Sequence, residues 1–73
     1  MNYLSTVTNA VLETGWRYRR ASAADAIFWI KTYRNRPEMA SDLRNQVNRY
    51  RSLLRDIHAS EMEMDRRGMR FVR

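Results

Sequence analysis

The sequence contains no cysteine, one proline, two glycines and one histidine in 73 residues. Each scarcity excludes something. Without cysteine there is no disulfide and no thiolate zinc site, and His58 alone cannot build a metal cage. With no cysteine nucleophile and no glycine-rich phosphate loop, the constellations of enzyme chemistry are missing as well. The expectation is a non-enzymatic protein with no metal, no cofactor and no small-molecule substrate. Long apolar runs are also lacking. The longest, Ala23 to Ile30, is interrupted by Asp25 and falls far short of the roughly 20 residues of a membrane helix. The opening "MNYLSTVTNAVLETG" has neither a basic start nor a long apolar stretch, unlike a signal peptide. A soluble, cytoplasmic chain is therefore expected.

Size adds a constraint. A chain this short buries only about 60% of its unfolded surface, so a lone core is marginal. With disulfides and metals excluded, oligomerisation is the remaining way to enlarge the core. Residues 1–73 read as one small domain that pairs with itself as a homodimer.

What the chain does have is basic charge. The net charge is +6, and Lys31 is the one lysine among fourteen cations, the rest being arginine. Guanidinium forks match carboxylates, phosphates and aromatic faces better than ammonium groups do. An acidic macromolecule is the indicated partner, although an arginine-rich genome gives the same ratio.

Helical spacing fills the sequence, and no segment alternates with period two. In the second half Ala40, Leu43, Val47, Tyr50, Leu54, Ile57, Glu61 and Met64 follow alternating steps of three and four. This heptad seam has one polar intruder, Glu61. Asn35 and Glu38 have the capping-box form, Pro37 suits a first turn, and Gly68 is a natural stop. The spacing predicts a helix from about Arg36 to Arg67. In the first half, Ser22 and Asp25 form a second capping-box pattern ahead of "AIFWIKTYR". Upstream, Tyr3, Val7, Ala10 and Val11 share a face. Gly15 either separates two helices or lies inside one, and the continuous helix is preferred because a single internal glycine costs only about 1 kcal/mol. The short "RNRP" link makes the two arms antiparallel. The expected fold is all-α, a hairpin of two long helices, dimerising into four, with residues 68–73 a loose basic tail.

Two apolar stripes mark the first arm. Ser22, Ala26, Trp29 and Tyr33 form one; Trp16, Ala23, Ile27 and Ile30 form the other. Together they span more than one partner helix covers, unless that helix straddles a single broad stripe. Trp16, Ile27, Trp29, Ile30, Tyr33, Leu43, Val47, Tyr50, Leu54, Ile57 and Met64 are therefore the core or dimer residues. In "WRYRR" the pattern turns Trp16 and Tyr18 inward and Arg17 and Arg20 outward. Arg17, Arg20, Phe28 and Met62 are the candidate contacts to a protein partner, an aromatic and a methionine flanked by arginines being typical of interfaces. Arg44, Asn48, Arg51 and Arg55 form a stripe along which a phosphate backbone could lie.

No zinc-finger spacing, helix-turn-helix glycine turn or long basic region accompanies that stripe. The favoured reading is a small interaction protein that binds a larger acidic protein and inhibits or redirects it, as compact basic regulators of bacteria and phages do. The alternative is a DNA- or RNA-binding regulator using the arginine stripe. A membrane-surface helix using Trp16, Phe28 and Trp29 is the least favoured.

Overall fold

The computed structural model describes residues 3–72. A 3-10 turn over Tyr3–Thr6 precedes Thr8, whose extended backbone leaves its hydroxyl oxygen free to accept the Val11 N–H at 3.2 Å. That bond satisfies one of the amides every helix start leaves orphaned. From this cap, helix α1 runs over Asn9–Tyr33 as one element, with Gly15 inside it. Ser22 and Asp25 cap nothing. Both lie mid-helix, and Asp25 instead pairs with Arg49 of the facing helix at 3.0 Å. Packing on both sides of Ser22 outweighs the local capping preference.

The link is short. The Arg36 N–H donates to the Tyr33 carbonyl at 3.0 Å, and a 3-10 turn over Pro37–Met39 leads into helix α2, Ala40–Arg66. Asn35 does not form the expected capping box. A residue before proline is pushed into extended backbone, so Arg36 takes the cap position, with no side chain closing it. The far end of α2 closes as the sequence predicts. Gly68 adopts φ +73°, its N–H donates to the Asp65 carbonyl at 3.0 Å, and the Met69 N–H reaches the Met64 carbonyl at 2.9 Å. This is a Schellman cap, a geometry that favours glycine at the left-handed residue.

The two helices pack side by side in a slab of 45 × 26 × 15 Å. Leu12, Trp16 and Met64 make the buried core, with Leu4, Val7, Ile57, Met69 and Phe71 packed against it. This core sits at the end of the hairpin away from the link. Toward the link, Ala23 and Ala26 are buried on the same spine of α1, with little side-chain volume between the helices.

Both helices are rotated from the sequence reading. On α2 the spine of Tyr50, Ile57 and Met64 holds, but α1 packs on the flank of Gln46, Leu53 and Ser60 instead of Val47, Leu54 and Glu61. Leu54 is 44% exposed and Ser60 is fully buried, its hydroxyl donating to the Asp56 carbonyl at 2.9 Å. Burying Ser60 with that bond is cheap, whereas burying the Glu61 carboxylate is not. Glu61 stays at the edge and accepts the Trp16 indole N–H at 3.1 Å.

On α1 the buried spine is Leu12, Trp16, Ala23 and Ala26. It runs between the two expected stripes, so α2 straddles them. Ile27, Trp29, Ile30, Tyr33, Leu43, Val47, Tyr50 and Ile57 are half-buried at its margins. Leu12, absent from the expected face, is 1% exposed, while Val11 and Tyr18 point outward. For Tyr18 this reverses the inward orientation that the sequence pattern predicts.

Residues 68–72 are not a loose tail. Phe71 packs edge-to-face on Trp16 with ring centroids 5.3 Å apart, and the Arg20 guanidinium donates to the Val72 carbonyl at 2.5 Å. Arg73, the last residue of the expected tail, lies outside the described residues.

Candidate functional site

On a helix, residues three, four and seven apart share a face, so Arg44, Asn48, Arg51 and Arg55 continue into His58 and Met62. At about 100° per residue these six lie within about 40° of the line opposite Leu53, the side that faces α1. All six are exposed. The rise along a helix sets the three arginines about 10 Å and about 6 Å apart. No acid falls within that arc, and among the described residues Arg44, Arg51 and Arg55 enter no ion pair.

Several other cations are committed within the chain. Arg17 pairs with Glu13 one turn earlier at 2.8 Å. Arg20 lies 4.8 Å from the Trp16 ring centroid, besides holding the Val72 carbonyl. Arg49 is held by Asp25 and by the Gln46 side-chain oxygen at 3.1 Å. "WRYRR" is thus no single hand: Trp16 is core, Tyr18 is exposed, and Arg17 and Arg20 are engaged within the chain.

Phe28 and Met62 are both well exposed, at 59% and 60%. Phe28 leads an aromatic ladder at the link end, packing edge-to-face on Trp29 at 5.1 Å, which stacks on Tyr33 at 5.4 Å. Met62 ends the arginine stripe near the opposite end. The pairings Asp25–Arg49 and Trp16–Glu61 fix the register and put these two anchors about 20 Å apart along the hairpin. They form no common patch.

No family model, curated protein or solved structure matches this chain.

A second feature is a buried carboxylate held by two arginines. Glu63 is buried at the base of the hairpin, and its carboxylate accepts from the Nε of Arg66 at 3.0 Å, from an Arg66 terminal nitrogen, and from the Nε of Arg67 at 2.7 Å. Arg67 reaches further, donating to the Asn9 side-chain oxygen at 2.8 Å and to the Leu4 carbonyl at 2.9 Å. The Arg66 and then the Arg67 hydrogen bonds hold the Glu63 carboxyl down at about 2, against the opposing effect of burial. This latch ties the start of α1 to the end of α2.

A third feature escaped the sequence reading. Ala10, Val11, Thr14, Gly15 and Tyr18 of α1 and Leu53 of α2 line an open apolar groove of about 670 Å³ on one broad side of the slab. The i, i+7 spacing of Val11 and Tyr18, offset from Leu12 and Trp16, was its only signal. Among the described residues no three His, Asp or Glu side chains converge as a metal site, and no helix is long and apolar enough to cross a membrane.

Proposed function

We propose that this chain is a non-enzymatic interaction protein that works as a homodimer of hairpins and docks on a larger, acidic protein, inhibiting or redirecting it. The observation that carries the reading is the outer face of α2, where Arg44, Arg51 and Arg55 are exposed and unpaired in a row free of acids. Guanidinium groups in that state are ready to take carboxylates in bidentate pairs. Met62 continues the row and supplies an apolar contact where charge alone gives little affinity. Phe28 supplies a second anchor at the far end.

A nucleic acid is the alternative occupant of the same stripe, and one experiment separates them. Wild type and a triple variant with Arg44, Arg51 and Arg55 each changed to Glu serve as baits in lysate, with and without nuclease. The protein reading expects a captured protein that survives nuclease and is lost with the triple variant. It also expects duplex and single-strand binding no tighter than the ~10⁻⁴–10⁻⁶ M typical of basic surfaces. Nanomolar, sequence-specific binding of a nucleic acid at physiological salt replaces it with the alternative.

A further inference from the structure

At 15 Å thick, the molecule is a single layer of helices, since one helix with its side chains is about 10–12 Å across. Stable domains enclose a core between two layers. The missing layer has a place to go. Val11 and Tyr18, the latter 72% exposed, project from the broad side that carries the groove, with Leu53 half-buried at its floor.

We propose that a second copy of this chain covers this side, α1 crossing α1 in antiparallel fashion at Gly15. The inference rests on the homodimer reading above and specifies its surface. A two-fold axis through that point is self-complementary, as an isologous interface requires. Tyr18 of each copy lies beside Val11 of the other, and at Gly15, which has no side chain of its own, the flexible Arg19 guanidinium that folds over the position swings aside as the helices approach. The slab's 45 × 26 Å broad side is large enough to remove on the order of 800 Å² per chain, the size of a standard stable interface. Arg19 is the one charged residue lining the groove, so an acidic partner has little to grip there.

Charge does not forbid the pairing. The copies carry +6 each, but the arginine stripe lies on the slab's narrow edge, away from the groove. Broad-side pairing leaves both stripes outside, available to an acidic partner. Screening then favours association, so the dimer tightens as salt rises.

The test is sedimentation equilibrium of the full chain at micromolar concentration. Wild type is expected at twice the 8.8 kDa chain mass. Tyr18→Glu and Val11→Glu are expected to keep their helical circular dichroism and to weaken the dimer on the order of 100-fold or more. Leu54→Glu, on the other broad side, is expected to leave it intact. Because the chain has no native cysteine, Gly15→Cys gives an independent readout: oxidation is expected to link two chains, while Phe28→Cys stays unlinked. A wild-type dimer indifferent to Tyr18→Glu, or broken by Leu54→Glu, overturns this surface and leaves the homodimer standing. A wild-type monomer overturns both and gives the groove to a foreign helix.

Discussion

Leu12 and Leu54 are chemically identical residues in opposite situations, one sealed in the core and the other at its margin. Leu12→Ala is expected to destabilise the chain by about 2–5 kcal/mol, through lost transfer energy and a cavity beside Trp16 and Met64. Leu54→Ala is expected to change stability by under about 0.5 kcal/mol in the monomer, as surface changes do. Urea melts of the two variants decide; equal losses return α2 to the rotation expected from its heptad. Glu63 makes a pH prediction. Its folded-state value of about 2 lies below the ordinary 4.5, so the carboxylate contributes stability that is fully present above about pH 4.5. That contribution is lost as pH falls through the folded value of about 2. Thermal midpoints should therefore decline from about pH 4.5 downward, and Glu63→Gln should flatten that part of the decline. A variant that keeps the full slope would assign the acid lability elsewhere. The Glu63–Arg67 pair was visible as an i, i+4 spacing, but its burial was not, because that depends on the 3-10 turn at Tyr3–Thr6 and Asn9 closing over it.

At the scale of elements, the helix stop at Gly68 is the boundary most firmly written in the sequence, since φ +73° favours a residue without a Cβ. Gly68→Ala is expected to cost about 1–2 kcal/mol, read as a lower thermal midpoint together with faster amide exchange at Met69. No change at either would mean the tail is held by Phe71 alone. Both helices and their link were legible because helical periodicity and capping residues are local signals. Their rotation was not. The spine of Tyr50, Ile57 and Met64 tolerates a flank of Val47, Leu54 and Glu61 or one of Gln46, Leu53 and Ser60. The choice falls to groups distant in sequence, among them the Trp16 indole that engages Glu61. The packing of the tail was illegible for the same reason: Arg70 and Arg73 look like a solvated end until Phe71 meets a tryptophan more than fifty residues earlier.

For the whole molecule, the separation of a broad-side groove whose single charge is Arg19 from an arginine-lined narrow edge predicts that the proposed self-association and electrolyte-sensitive binding respond oppositely to salt. If the arginine stripe meets a duplex at all, changing Arg44, Arg51 and Arg55 to Ala should flatten the log–log salt slope by about 2.7, at about 0.9 per phosphate contact. A flattening near zero in fluorescence titrations would place the phosphate contacts on other cations. The latch at the base bears on how the chain yields to force. Arg67 bonds both to Asn9 and to the Leu4 carbonyl, so the two ends of the described chain leave from the same end of the hairpin. Tension applied through them pulls the helices apart one turn at a time, like a zipper, and does not slide them along each other. In an optical trap such a monomer should open at low force, with its first resistance at the latch; Arg67→Ala should remove that first step and leave the later ones unchanged.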